Sequence, residues 1–167
     1  MANENRDDPQ SPCWAGLAWS GWYDFDQADR EHLIPPTPGL YRFRIVGFPG
    51  LLYIGESGAT KGRRGRLRDL ARGRLAHEPD YYLKWREDGL ADRPHRGHYA
   101  APFIRQAESA SGRVTEVSWA LGEHRNTAGR KQAEARLIEL HRQAVGDAPP
   151  AQHGGEGMAA WLSQSPT

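Results

Sequence analysis

The sequence predicts an α+β fold in which a small three-stranded antiparallel sheet is flanked by helices. An alternating segment, 40–46, is followed by a turn rich in glycine and proline and by a short apolar return, 51–54, which is typical of a β-hairpin. A third strand is predicted from the alternation in 114–121. Helices are predicted for 66–75, 99–109 and 127–145. This order of elements is typical of helices packed on one antiparallel sheet.

The predicted hairpin contains two short tyrosine motifs. Gly39-Leu40-Tyr41 begins the first strand, and Tyr53-Ile54-Gly55 ends the second. Successive side chains of a strand point to opposite faces of the sheet. The two phenols either pack in the core or form part of an active site on neighbouring strands.

The chain is predicted to form one domain with two tails. Its 167 residues suffice for one core. Residues 1–13 are polar and predicted to be disordered, as are the small and polar residues of 158–167. The domain itself, 14–157, starts with an aromatic-rich extension, 14–37. These aromatic rings either pack over the core or stack on bases, and packing is favoured because no basic stretch accompanies them.

Composition indicates a soluble, cytoplasmic protein. Hydrophobic residues make up 38% and charged residues 26% of the chain, which is within the range of globular proteins. No apolar run approaches the roughly 18 residues that a membrane span needs, so no membrane partner is expected. The single cysteine, Cys13, is unable to form an internal disulfide.

Basic residues are concentrated in one short segment, although the net charge is only +1. A polyanion-facing surface and a solvated helix face both explain such a cluster, and the cluster alone does not decide between them. The segment contains one acidic residue, Asp69. Its basic residues are Lys61, Arg63, Arg64, Arg66, Arg68, Arg72 and Arg74.

Glu134 lies in the middle of the apolar stripe of the predicted helix 127–145. At about 100° per residue, Ile138, His141 and Val145 fall within roughly 40° of the direction of Glu134. A buried carboxylate is costly unless it is paired or binds a cation. One interpretation is an ion pair with an arginine near the positive end of the helix dipole. The other is a divalent-metal ligand in a cleft between helix and sheet.

Several other chemistries are disfavoured. The seven histidines lack HExxH spacing, and one cysteine is too few for a cysteine-based zinc site. The chain contains no GxGxxG, no GxxxxGK[ST] and no GxSxG motif. Tyrosines, arginines and one misplaced glutamate suit phosphodiester chemistry, because guanidinium groups bind phosphate and a carboxylate binds a hard cation.

Taken together, these motifs resemble those of the GIY-YIG nuclease superfamily. Gly39-Leu40-Tyr41 corresponds to the first half of the family's name, and Tyr53-Ile54-Gly55 matches the second half. Family members carry an arginine on the next helix, for which Arg66 is the best match and Arg63 the competitor. The resemblance extends over about 38–155 and implies a three-stranded sheet with surrounding helices.

The family's metal-binding glutamate corresponds to Glu134, and Gln152 stands where the family has an asparagine. The resemblance implies hydrolysis of DNA with one Mg²⁺ or Mn²⁺ held by Glu134. It also implies that Arg66 neutralises the phosphate, that Tyr41 is the general base, and that Tyr53 positions the water or the phosphate. The two phenols are then expected to face the same cleft. His98 is our choice for the cleft histidine, and a solvated loop is its alternative.

Three hypotheses follow. The first is a compact, restriction-like DNA endonuclease. The second is a nucleic-acid-binding module that has kept the fold and lost cleavage, and the third is a structural domain in which the motif is accidental. Strand form, DNA against RNA preference and oligomeric state are open at this point. Residues expected to bind nucleic acid are Lys61, Arg63, Arg64, Arg68, Arg72 and Gln152.

Overall fold

The computed structural model describes residues 5–75, 100–122, 124 and 126–164. Within these residues one antiparallel sheet contains four strands: β1 (Tyr23–Asp24), β2 (Gly39–Ile45), β3 (Tyr53–Ser57) and β4 (Thr115–Trp119). The same residues form five α-helices: α1 (Phe25–Arg30), α2 (Gly62–Leu75), α3 (Ala101–Ser111), α4 (Thr127–Val145) and α5 (Met158–Leu162). A 3₁₀ turn covers Trp14–Gly16.

The α+β class is confirmed, but the prediction of three strands was wrong. The strand order is β1-β4-β2-β3, so β4 lies between β1 and β2. The additional strand comes from the aromatic extension, where Tyr23 pairs with Val117 and Asp24 with Glu116. Two residues are too few to produce an alternating pattern. Asp24 also accepts a hydrogen bond from the Gln27 amide at 3.0 Å and so caps α1.

Helices cover both faces of the sheet. Tyr41 and Phe43 of β2 belong to a core that α2, α3 and α5 share. Leu40 and Ile54 belong to a second core on the opposite face, which α4 covers together with Trp14 and Trp19. Because β3 is an edge strand, side chains from both helical layers can meet beside it.

Helix α4 has the predicted bounds, 127–145. It begins after Asn126, whose side chain accepts a hydrogen bond from the Gly129 amide at 3.0 Å. It ends at Gly146, which adopts φ +102° and a left-handed conformation. The helix that carries Glu134 is therefore defined at both ends by its own sequence.

Both predicted tails are packed on the domain where the structure describes them, and the expectation of disorder was wrong there. The side-chain amide of Gln10 donates to the carbonyls of Phe48 and Gly50 at 3.0 and 2.7 Å. At the other end, Met158 and Trp161 are buried, and Trp161 stacks on Phe48 at 4.2 Å. The contact made by Gln10 was not predicted, because a polar side chain that binds turn carbonyls leaves no apolar pattern in the sequence.

The aromatic extension packs on the sheet, as favoured from the sequence. The Arg42 guanidinium lies 4.3 Å from the ring centre of Trp19 and 4.6 Å from that of Trp22. Tyr23 stacks on Trp119 at 5.3 Å. Cation–π and stacking contacts therefore hold this segment to the strands.

None of the helices in the described part of the chain is long and apolar enough to cross a membrane.

Candidate active site

The two motif tyrosines lie on one face of the sheet. Tyr41 pairs with Gly55 across β2 and β3, and Phe43 pairs with Tyr53. The ring centres of Tyr41 and Tyr53 are 6.3 Å apart. A Cβ atom on Gly55 would lie 2.6 Å from Cε2 of Tyr41. Glycine is therefore required at this position, because the Tyr41 ring crosses the β3 backbone there.

Arg66 and Glu134 approach these tyrosines from opposite sides of the sheet. Arg66 belongs to α2 and Glu134 to α4. Both side chains act on the pKa of Tyr41: Arg66 lowers it through its charge and a hydrogen bond, and the negative charge of Glu134 raises it. The structure thus brings four predicted residues, distant in sequence, to the β3 edge: Tyr41, Tyr53, Arg66 and Glu134.

Glu56 is a fifth member of this cluster, and the sequence reasoning missed it. Its carboxylate accepts a hydrogen bond from Nε of Arg130 at 2.9 Å. Glu56 and Arg66 also line a cleft of about 380 Å³ beside the loop between β3 and α2. The remaining lining residues are Ser57, Gly58, Thr60 and Lys61.

The pKa of Glu134 is raised from 4.5 to about 7. Burial is the main cause, and the negative charge of Glu56 is the second. Arg66 and then Lys131 act in the opposite direction. A carboxyl group with this pKa changes its charge near neutral pH, which is a common property of functional sites.

Both phenols hold their protons tightly. Burial raises the pKa of Tyr41 to about 12, although Arg66 counteracts this. The pKa of Tyr53 is also raised well above 10, first by burial and then by the charge of Tyr41. At neutral pH each phenol is therefore protonated.

The donor set fits a hard divalent cation bound through few protein ligands. No group of three or more His, Cys, Asp or Glu side chains in the described residues is arranged to hold a metal. Glu56 and Glu134 supply two carboxylates, and the negative charge of Glu56 raises the pKa of Glu134. Mg²⁺ typically uses one or two carboxylates and completes its octahedron with water and substrate phosphate.

The structure distinguishes Arg66 from its competitor, Arg63. The Arg63 side chain is buried and donates to the carbonyl of Ala120, to that of Gly122 at 3.2 Å, and to the Thr37 hydroxyl at 3.0 Å. A Cβ atom on Gly39 would lie 2.8 Å from its guanidinium carbon. Arg63 therefore fixes α2 against the sheet, and our expectation that it binds nucleic acid was wrong.

Other arginines of α2 are also bound within the protein. Arg64 donates to the Ile34 carbonyl at 2.9 Å, and Arg68 lies 3.5 Å from the carboxylate of Asp29. Arg64 thus holds the segment between α1 and β2 and Arg68 holds α1, and their assignment to nucleic-acid binding stays a prediction. Two of the predicted basic residues, Lys61 and Arg72, are exposed.

Gln152 has a structural role, contrary to its predicted contact with nucleic acid. Its Oε1 accepts from the Ile54 amide at 2.8 Å, and its Nε2 donates to the Ile54 carbonyl at 3.0 Å. The buried side chain thus satisfies the free edge of β3 between Tyr53 and Gly55. Gln152 supports the site without facing a ligand.

His98, our predicted cleft histidine, lies outside the described residues. His141, on the same face of α4 as Glu134, is a satisfied core histidine. It accepts from the Leu51 amide at 2.8 Å through Nε2, and its Nδ1 lies 2.6 Å from the Asp147 carbonyl. This pattern requires the neutral ring with its proton on Nδ1.

Alternation explains why Glu56 was missed. Because side chains alternate along β3, Glu56 lies on the same face as Ile54 of the second core, and Tyr53 lies on the other face. The carboxylate reaches the cleft because β3 is at the edge of the sheet. The sequence signal was an acidic residue directly after Tyr53-Ile54-Gly55.

Comparisons with protein-family models, with curated proteins and with solved structures found no match for this chain.

Proposed function

We propose that the chain is a metal-dependent DNA endonuclease of the GIY-YIG type, which hydrolyses phosphodiester bonds. The observation that carries this proposal is the meeting of Tyr41, Tyr53, Arg66 and Glu134 at the β3 edge. The convergence of Arg66 from α2 and Glu134 from α4 on the tyrosines of the hairpin supports a common role. Their chemistry suits a phosphate, a hard cation and a water molecule.

The two carboxylates are the proposed cation site. Glu134 is the principal ligand, and Glu56 adds negative charge beside it. When bound, Mg²⁺ or Mn²⁺ supplies positive charge for the scissile phosphate and for the leaving oxygen. Glu134 must lose its proton to act as a ligand, and its raised pKa makes that loss dependent on pH near 7.

Arg66 is the proposed phosphate-binding residue. It is half-buried, lines the cleft with Glu56, and lies beside the Tyr41 hydroxyl. A guanidinium in a partly desolvated cleft stabilises the extra negative charge of the phosphate in the transition state. Arg63 is committed to main-chain carbonyls, so the role falls to Arg66.

The tyrosines orient the reacting groups. In the free protein Tyr41 keeps its proton because burial raises its pKa to about 12, and its hydroxyl oxygen accepts a hydrogen bond from Arg66. The negative charges of Glu134 and Glu56 contribute to that high value. As the proposed general base, Tyr41 would first release its own proton to solvent, which a cation held by the carboxylates would favour, and the phenolate would then accept a proton from the attacking water. Tyr53 packs beside Tyr41 and fixes the position of its ring.

A non-catalytic nucleic-acid-binding module is the second candidate. The observation in its favour is the deep burial of Tyr41, which opposes a general-base role. The raised pKa of Glu134 argues against it, because a protein that only binds polyanions gains nothing from a buried carboxylate near Arg66.

Cleavage assays on single-stranded DNA, double-stranded DNA and RNA test the proposal. Each substrate is incubated with wild type, Glu134→Gln or Glu139→Gln, in Mg²⁺, in Mn²⁺ or in EDTA. Glu139 lies on the exposed side of the same helix and is the matched control. We expect metal-dependent cleavage that Glu134→Gln lowers by more than about a hundredfold, while Glu139→Gln leaves it unchanged. Binding without cleavage in any metal would favour the second candidate.

A further inference from the structure

Arg130 is a buried arginine one helical turn before Glu134. Only 2% of its surface is exposed, although it lies in the first turn of α4. Residues four apart on a helix lie on the same side. Arg130 and Glu134 therefore face the same region of the sheet, where β3 is the edge strand.

The Arg130 guanidinium joins three parts of the chain. Its Nε donates to the Glu56 carboxylate of β3 at 2.9 Å. Its Nη1 donates to the His124 carbonyl at 2.8 Å, and its Nη2 to the Thr127 hydroxyl at 2.9 Å. These bonds use all three nitrogens of a planar fork, which a lysine ammonium does not reproduce.

The same network reaches the start of β2. The His124 amide donates to the Pro38 carbonyl at 3.3 Å, directly before Gly39-Leu40-Tyr41. A Cβ atom on Gly58 would lie 3.2 Å from Nη2 of Arg130, so the guanidinium also packs against the loop that lines the cleft. Through Arg130, the beginning of α4 is tied to β2, to β3 and to the cleft loop.

We propose that Arg130 is a positioning residue, which holds Glu134 and Glu56 in register with Tyr41; this inference rests on the proposed function. A buried ion pair is weak evidence for stability, since apolar residues of similar size often serve as well. The ion pair between Arg130 and Glu56 fixes the orientation of both side chains, which apolar packing does not do. Misplacing a metal ligand by a small distance lowers the reaction rate strongly.

The test compares Arg130→Lys and Thr127→Val with the wild type. Arg130→Lys keeps the positive charge beside Glu56 and removes the fork. Thr127→Val is close in shape, lies at an exposed position and removes one bond to Nη2, so it folds even if Arg130→Lys does not. Arg136→Lys, at an exposed position of the same helix, is the matched control.

The readouts are kcat and KM for DNA cleavage, Mn²⁺ affinity by calorimetry, and urea unfolding. We expect Arg130→Lys to lower kcat and Mn²⁺ affinity by about 10- to 100-fold with little change in KM. Thr127→Val should lower both about 2- to 5-fold, in the same direction. The inference is overturned if both variants keep kcat and Mn²⁺ affinity within twofold of the wild type, even when they unfold more easily.

Crystal structures of the wild type and Thr127→Val separate this inference from the proposed function. If the wild type neither cuts nor binds Mn²⁺, the nuclease proposal fails. A change in the distance from the Glu134 carboxylate to the Tyr41 hydroxyl would then still support positioning. An unchanged distance in that case overturns the positioning role as well.

Discussion

Two of the inward-facing titratable side chains of helix α4, Glu134 and His141, have surroundings that differ in a way that separates stability from the proposed function. The neutral His141 ring has a partner for each nitrogen, the Leu51 amide and the Asp147 carbonyl. Glu134 faces a second carboxylate, Glu56, and its charged form is disfavoured by burial. Of these two side chains, His141 has a partner for each ring nitrogen, whereas Glu134 lies where its charged form is disfavoured.

The difference indicates what each residue is for. A buried polar group with all its partners contributes to a unique packing of the core. A half-buried carboxylate beside a second carboxylate lowers stability when both are ionised. Carboxyl groups with a perturbed pKa cluster at functional sites, which supports the proposed role of Glu134. Substitutions at the two positions should therefore change stability in opposite directions.

The largest expected effect is a loss of stability in His141→Ala. The substitution leaves the Leu51 amide without its acceptor and opens a space against Gly50, which packs on the imidazole ring. We expect the free energy of unfolding at pH 7.5 to fall by about 3 kcal/mol, measured by urea denaturation. Cleavage per folded molecule should not change at low temperature.

Gln143→Ala, at an exposed position of the same helix, is the control for His141→Ala and should change stability by less than about 0.5 kcal/mol. A loss below about 1 kcal/mol in His141→Ala would mean that its two hydrogen bonds do not stabilise the core.

Glu134→Gln should have the opposite effect and stabilise the protein at pH 8. The carboxyl pKa rises from 4.5 to about 7 on folding, so the folded protein binds this proton more tightly. The stabilisation that this bound proton gives is present below pH 4.5 and is lost as the pH rises through about 7. The full difference corresponds to about 3 kcal/mol, and partial exposure reduces the expected gain to about 2 kcal/mol.

Unfolding curves of Glu134→Gln and wild type at pH 8 and pH 4 measure this gain, which should disappear at the lower pH. A variant less stable than wild type at pH 8 would show that Arg66 already neutralises Glu134 in the free protein. The place of Glu134 on the apolar face of α4 would then be explained by an ordinary ion pair with Arg66.

Glu134 and His141 also show how much of the site can be predicted from the sequence. Periodicity alone defined α4, placed Glu134 and His141 on its inner face, and separated them from Glu139. The order of the motifs located Tyr41 and Arg66. These features depend on local spacing, which a single sequence records.

The roles of the other arginines required the structure. Sequence alone does not show which of Arg63 and Arg66 faces the site. Helix α2 was predicted to begin at 66, but it begins at Gly62. Gly62 adopts φ +63° against the Pro36 carbonyl, a long-range contact that sequence does not reveal. Helix α2 therefore starts close against Pro36, and the next residue, Arg63, is buried.

A third expected effect is the pH dependence that His141 gives to stability. Burial lowers its pKa below the ordinary value of about 6.5. The unfolded chain therefore binds a proton that the folded protein resists, and stability falls as pH decreases below about 6.5. We expect His141→Gln to reduce this loss by about 1 kcal/mol between pH 7 and pH 5, measured by thermal or urea unfolding. An equal acid dependence in both proteins would contradict the neutral, hydrogen-bonded ring.

The smallest effect on stability is expected for Lys61→Ala, at the mouth of the cleft. Its ion pair with Asp69 is exposed, so the free energy of unfolding should change by less than about 0.5 kcal/mol. If Lys61 contacts one phosphate, the slope of log affinity against log salt for duplex DNA should decrease by about 1. Fluorescence anisotropy at several salt concentrations measures this slope, with Lys131→Ala as a control near Glu134. An unchanged slope for Lys61→Ala would place the phosphate path on the other side of Arg66, toward α4.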